Sequence, residues 1–217
     1  VKDYADGLIP LVLDALELER AAIVATSFGG FFAFRAAAAH PDRVERIVEL
    51  SWPMGAPMDK VTISLRMSAV PGMRRLMPKM PVSRGLVRML LRQIGLKRAL
   101  ANGRFSDDMV EWFFLMLRDT DTMVNELRST PDIFTPIAGL NRDMLLTDAE
   151  LARVTMPVHF VWGEEDPNGG AAVARAFSAR FPQATLELID VAGHSHWIYE
   201  PDRCAASISS FLDSGAL

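Results

Sequence analysis

The sequence predicts an α/β fold in which a parallel sheet is flanked by helices and a helical cap is inserted. Short apolar segments typical of buried strands alternate with helical patterns near both ends of the chain. The stretch between them has helical patterns that proline and glycine repeatedly break. Because strand and helix alternate on both sides of this stretch, right-handed crossovers and one parallel sheet are expected. The predicted core is 1–52 with 154–217, and the predicted cap is 53–153.

The first part of the core is predicted as helix, strand, helix and strand. The first helix is predicted from LIPLVLDALELE, whose apolar residues recur at helical spacing, with Pro10 in its first turn. The segment AAIVAT predicts a short buried strand, and RVERIVELS predicts a second strand because its β-branched residues favour extended backbone. Between these strands, FFAFRAAAAH is rich in helix formers and ends before a proline.

The cap and the second part of the core are predicted in the same way. Cap helices are predicted from GLVRMLLRQIGLKRALAN and DDMVEWFFLMLRDTD, with breaks expected at Pro71, Pro78, Pro81, Gly103, Pro131 and Pro136. After the cap, strands are predicted at MPVHFVWG and ATLELIDV. Helices are predicted after these strands, at GGAAVARAFSARF and DRCAASISSFL.

Composition excludes several classes of protein. The 217 residues are 50% hydrophobic with a mean hydropathy of +0.15, which allows a large core in one domain with an insertion. No apolar run reaches the roughly 18 residues of a membrane span, and the opening residues lack the layout of a signal peptide. The single cysteine, Cys204, cannot form an internal disulfide, so a cytoplasmic location is expected. The net charge of -4 argues against general nucleic-acid binding, and the four histidines lack metal-site spacing, so no metal or cofactor is expected.

Charge is distributed unevenly along the chain. Residues 61–105 contain no aspartate or glutamate but ten lysines and arginines, and the rest of the chain is correspondingly acidic. The ordinary interpretation is a solvated face of the cap helices. A second interpretation is a cationic amphipathic surface that contacts an anionic membrane peripherally or attracts anionic substrates.

Ser27 lies where a predicted strand turns directly into a helix, within AIVATSFGGFF. Such a turn lifts the side chain clear of the sheet, and the helix N-terminus favours developing negative charge, with the Phe28 N–H available to an oxyanion. The residues two positions to either side, Ala25 and Gly29, are small, as the close approach of strand and helix requires. Alone the pattern is weak, because an ordinary glycine-rich turn looks the same.

A serine hydroxyl needs a base to take its proton and an acid to orient that base. Both residue types occur in later loops. The segment FVWGEEDPNGG places Asp166 after one predicted strand, and LIDVAGHSHWIYEP places His194 after the next. In open α/β folds, sites form at the carboxyl ends of the strands, where these loops are expected.

With this order of serine, acid and histidine, the chain resembles the α/β-hydrolase superfamily, specifically its cap-bearing branch. The resemblance covers nearly the whole chain outside the cap and rests on ATSFGG, HPDRVERIVEL, VWGEEDP and AGHSHWIYEP. It implies that Ser27 is the nucleophile, His194 the general base and then acid, and Asp166 the orienting carboxylate. It also implies that the Phe28 N–H is one oxyanion donor.

Other residues compete for the roles of base and acid. His196 competes for the base, but only the histidine two residues earlier directly follows a glycine, as in the family pattern. Glu164 and Glu165 compete with Asp166, which lies at the family's spacing after Trp-Gly. Glu49 follows the second strand's apolar run, where some relatives place their acid; its ordinary interpretation is an edge or cap-hinge carboxylate.

Two features depart from the family pattern. Ala25 stands where the family usually has glycine, a change of one methyl group. The family normally has several strands before the serine, and the loop after the third supplies a second oxyanion donor, whereas one helix precedes Ser27 here. We therefore expect a truncated form of a longer hydrolase with weak or no activity. AIVAT would then be an exposed edge strand through which a second copy could pair as a homodimer.

The predicted function is hydrolysis of an ester-like bond in an apolar small molecule through an acyl-enzyme on Ser27. All methionines except Met156 lie in or beside the predicted cap, so an apolar pocket is expected, with candidate substrate-binding residues Met67, Met77, Phe113, Phe114 and Trp197. A serine at this turn argues against dehalogenases and epoxide hydrolases. Esterase, lactonase, thioesterase, carbon–carbon hydrolase, aminopeptidase and cofactor-free haloperoxidase activities stay open. The alternative is a non-catalytic or inactive fragment that acts at most as a ligand-binding module.

Overall fold

The computed structural model describes residues 1–58, 60–137 and 139–214. Strands in this part of the chain are β1 (Ala21–Thr26), β2 (Val44–Leu50), β3 (Phe134–Thr135), β4 (Gly139–Leu140), β5 (Val158–Gly163) and β6 (Ala184–Ile189). The strands β1, β2, β5 and β6 form one parallel sheet in that order, whereas β3 and β4 form a small antiparallel pair. The predicted α/β class is confirmed, and β1 is an edge strand of the described sheet.

Helices connect and cover these strands. They are α1 (Lys2–Ala15), α2 (Phe28–Ala39), α3 (Ile63–Ser68), α4 (Pro71–Leu76), α5 (Arg84–Leu91), α6 (Lys97–Ala101), α7 (Asp107–Asp119), α8 (Thr122–Ile133), α9 (Asp148–Leu151), α10 (Ala171–Ser178) and α11 (Pro201–Asp213). Several helices between β2 and β5 begin at hydroxyl residues that accept a main-chain hydrogen bond, such as Ser83 from Leu86 and Ser106 from Met109.

The core occupies both faces of the sheet, because successive strand residues point to opposite sides. On one face, Phe34 of α2 packs against Phe160 of β5 and against Phe177 of α10. On the other face, Val48 and Val161 lie in a cluster that also contains residues of α5, α7 and α11. The helices between β2 and β5 therefore share buried apolar clusters with the sheet, and the boundaries 53–153 for a separate cap stay a prediction.

Three helical predictions were wrong in detail. The first helix begins at Lys2, so Pro10 lies in its interior instead of its first turn. Pro131, expected as a break, lies inside α8 near its end. The long cap helix is divided, because α5 and α6 are separated by a turn in which Gly95 has a φ of 93°.

Among the described residues, none of the helices combines the length and apolarity required to cross a bilayer. The cytoplasmic location inferred from Cys204 stays a prediction, as does pairing of a second copy along β1.

Candidate active site

Ser27 occupies the turn between β1 and α2 in a conformation that few residues other than glycine adopt, with φ 55° and ψ -116°. Its carbonyl accepts hydrogen bonds from the N–H of Gly30 at 3.1 Å and of Met54 at 2.9 Å. The Phe28 N–H, at the first position of α2, has no acceptor within the described residues. The strained turn thus presents Ser27 beside an unused main-chain donor, as an oxyanion site requires.

Asp166 and His194 lie within hydrogen-bond distance, with His194 Nδ1 2.7 Å from Asp166 Oδ2. The Asp166 side chain is 0% exposed, and its two oxygens also accept main-chain hydrogen bonds from Trp52 at 3.1 Å and Asn168 at 2.9 Å. Because a carboxylate only accepts, this contact is a hydrogen bond in the tautomer whose proton lies on His194 Nδ1. That tautomer keeps Nε2 free of a proton, which is the state that a general base needs.

The sheet brings these three residues to the carboxyl ends of its strands. Ser27 follows β1, Asp166 follows β5 and His194 follows β6, and all three strands run parallel. The loop after β2 links them, since Met54 donates to the Ser27 carbonyl and Trp52 donates to Asp166. Within the described residues no hydrogen bond joins Ser27 Oγ to His194, a contact that commonly tightens only when substrate binds.

The competing residues lie in different surroundings. His196 is fully buried, and neither ring nitrogen has a hydrogen-bond partner in the described structure. Burial lowers the pKa of His196 to about 4, so the ring is neutral at physiological pH. Glu164 and Glu165 are exposed, and Glu165 pairs with Arg98 at 3.1 Å. The histidine that contacts Asp166 is therefore His194.

Glu49 does not occupy the edge or hinge position that its ordinary interpretation implied. It lies in β2, an inner strand, where it is 0% exposed and pairs in register with Ala25 and Phe160. Neither carboxylate oxygen has a hydrogen-bond partner among the described residues. The sequence concealed this, because a glutamate near a strand end usually faces solvent.

The candidate substrate-binding residues are dispersed over the helical segments between β2 and β5 and the segment after β6. The Phe114 ring is buried, and the guanidinium groups of Arg84 and Arg118 lie 4.3 Å and 4.7 Å from the ring centre. Trp197 packs edge-on to His196, while Met67 is exposed and Met77 and Phe113 are half-buried. Contact of any of these side chains with a substrate stays a prediction.

The turn between α5 and α6 touches the loop that carries His194 at a position that sequence patterns did not indicate. A Cβ on Gly95 would lie 2.9 Å from the main-chain nitrogen of His194. A Cβ on Gly193 would lie 2.6 Å from the carbonyl oxygen of Gly95. The Tyr199 hydroxyl donates to the same Gly95 carbonyl at 2.7 Å. Gly95 was the available signal in the sequence for this contact. Its partners, Gly193 and His194, lie about a hundred residues later in the chain, so the local pattern could not identify them.

Comparisons with known proteins give the family. The family described as alpha/beta hydrolase fold matches residues 3–201. An uncharacterized protein of Mycobacterium tuberculosis is 26% identical over 219 residues, covering 99% of this chain and 62% of that protein. A 2-hydroxymuconate semialdehyde hydrolase of Pseudomonas sp. (strain CF600) is 44% identical over 64 residues, covering 27% of this chain and 21% of that protein.

Among solved structures, a meta-cleavage product hydrolase from Pseudomonas fluorescens IP01 is similar, with a TM-score of 0.74 and 21% identity. The superposition covers 99% of this chain and 72% of that one. Such low identity shows the fold alone, whereas the family match spans nearly all of the described residues. The chain therefore belongs to the α/β-hydrolase fold family.

Proposed function

We propose that the protein is a serine hydrolase that cleaves an ester-like bond in an apolar small molecule through an acyl-enzyme on Ser27. The observation that carries the proposal is the Asp166–His194 contact of 2.7 Å, which leaves His194 Nε2 as an acceptor at the sheet edge where Ser27 lies. Family membership supports a hydrolase, and the strained turn at Ser27 supports its assignment as the nucleophile.

The reaction follows from these groups. His194 Nε2 accepts the Ser27 proton as Oγ attacks the substrate carbonyl, and the Phe28 N–H donates to the resulting oxyanion. The imidazolium, held by Asp166, then gives that proton to the leaving alcohol, and the acyl group remains on Ser27. Water attacks the acyl-enzyme while His194 again acts as base, which releases the acid and restores the serine.

The geometry suits this cycle because hydrogen bonds hold the Asp166 carboxylate in one position. Two main-chain donors fix its oxygens in addition to His194, so the imidazole keeps one tautomer and one orientation through both half-reactions. The apolar substrate class rests on the methionine-rich cap, in which Met54 and Met144 are buried and Met67 and Met89 are exposed.

A second candidate substrate is an anionic dienoic acid of the 2-hydroxymuconate semialdehyde type. The local 44% identity to an enzyme named for that substrate supports this candidate, and the cap residues 61–105 carry positive charge that an anionic substrate would favour. The same serine chemistry would serve it, with a carbon leaving group in place of an alcohol.

The test is steady-state hydrolysis of p-nitrophenyl esters of increasing acyl length, alongside 2-hydroxymuconate semialdehyde. We expect Ser27→Ala to lower kcat/KM by about 10³-fold or more. Ser209→Ala, at an exposed position on α11, should leave activity unchanged. Folded wild-type protein that turns over neither substrate class, but binds the esters as tightly as Ser27→Ala, would favour the non-catalytic alternative.

A further inference from the structure

The Glu49 carboxyl lies beneath the turn that carries Ser27. A Cβ built on Gly30, in the first turn of α2, would be 2.4 Å from Glu49 Oε2 and 2.6 Å from Cδ. These distances are far below van der Waals contact, so the helix main chain passes directly over the carboxyl group. Gly30 also donates its N–H to the Ser27 carbonyl at 3.1 Å, which joins the nucleophile turn to this same contact.

Among the described residues, no cation pairs with Glu49. Its neighbours in register are Ala25 of β1 and Phe160 of β5, and α2 contributes Gly30. The titratable groups of the site, Asp166 and His194, contact each other instead. A fully buried carboxylate without a cation or a geometrically sound hydrogen bond would be very costly, whereas the protonated acid is far less so.

We propose that Glu49 is a positioning residue that supports the nucleophile turn in its neutral, protonated form, and that its ionisation disables the oxyanion site. This inference rests on the proposed function. A negative charge under the start of α2 would compete with the substrate oxyanion for the positive end of the helix and for its free N–H groups. The neutral acid fills the space beneath Gly30 and leaves those donors to the substrate.

The direction of titration agrees with this geometry. Burial raises the pKa of Glu49 well above 4.5. The nearby Ser27 main chain lowers this pKa, but by less than burial raises it. The unfolded chain therefore loses this proton near pH 4.5 while the folded chain keeps it. Because the folded state binds more protons in that range, the Glu49 contribution to stability falls as pH rises from 4.5 to the folded pKa.

The experiment has two readouts on wild type, Glu49→Gln and the control Glu45→Gln, which changes an exposed carboxyl on the same strand. The first readout is the urea midpoint of unfolding across pH. We expect wild type and Glu45→Gln to lose stability with rising pH more steeply than Glu49→Gln. Parallel curves for all three would overturn the inference. If Glu49→Gln does not fold, Glu49→Leu supplies the same comparison with an apolar side chain of similar volume.

The second readout is the pH dependence of ester hydrolysis. We expect wild-type kcat to fall about 10²-fold as pH rises through the ionisation of Glu49, with KM unchanged, and Glu49→Gln to lack this fall while the protein stays folded. The same fall persisting in Glu49→Gln would refute the positioning role. Absence of hydrolysis by wild type at every pH would refute the proposed function, and the unfolding curves would still decide whether Glu49 is neutral.

Discussion

Replacing Gly30 by alanine tests how closely the nucleophile turn packs on Glu49. The new methyl group would lie 2.4, 2.7 and 2.6 Å from Oε2, Oε1 and Cδ of a carboxyl that is 0% exposed and cannot move into solvent. Overpacking of this kind costs about 1–3 kcal/mol, while alanine gains up to about 1 kcal/mol over glycine in a helix. We expect a net loss of about 1–2 kcal/mol in the free energy of unfolding.

The assay is urea unfolding followed by circular dichroism. With an m value of about 3 kcal/mol/M, the expected loss lowers the urea midpoint by about 0.3–0.7 M. Gly29→Ala is the matched control, since its Cβ would lie 3.8 Å from the Ala25 methyl, an ordinary contact. Adding Glu49→Ala to Gly30→Ala should recover part of the loss. Equal midpoints for Gly29→Ala and Gly30→Ala would refute the close packing of the turn on Glu49.

Three further predictions follow from the site and its surroundings. Asp166→Asn should lower kcat by roughly 10⁴-fold with little change in KM, because an amide no longer holds the required imidazole tautomer; steady-state kinetics that show less than a tenfold loss would contradict this. Tyr199→Phe removes the hydroxyl that donates to the Gly95 carbonyl and should cost about 1 kcal/mol in the free energy of unfolding, whereas Tyr4→Phe, at an exposed ring, should cost nothing measurable in the same urea experiment. Burial lowers the pKa of His196 from 6.5 to about 4, so between these pH values His196 is protonated in the unfolded chain but not in the folded one. The free energy of unfolding should therefore fall by up to about 3 kcal/mol as pH drops from 6.5 to 4. His196→Leu should remove that fall, and unfolding midpoints that depend on pH identically in the two proteins would exclude it.

The sequence was sufficient for the features that depend on local pattern. The four strands of the parallel sheet were recognised as short apolar runs between turns, although β1 is half-exposed instead of buried. The turn at Ser27 was recognised because strand, serine and small residues adjoin one another. The pairing of Asp166 with His194 was implied by the family resemblance, and the parallel sheet brings both loops to the carboxyl ends of its strands. Their roles in catalysis remain proposals.

Tertiary contacts explain what the sequence did not predict. The first helix extends back to Lys2 because Ala5 is buried and Asp6 forms a bidentate pair with Arg35 of α2, at 2.7 Å for both contacts. Local pattern placed its start near the apolar residues instead. The burial of Glu49 likewise depends on α2 crossing over β2, a packing that no spacing in the sequence reports.

The most direct test of the central claim is covalent labelling with a fluorophosphonate, which reacts with serines that a base has activated. Intact mass followed by peptide mapping should find one adduct, on Ser27, in wild type. Ser27→Ala should gain none, and His194→Gln should react far more slowly because the base is lost. A folded wild-type protein that gains no adduct, or gains it on another residue, would contradict the assignment of Ser27 as the nucleophile.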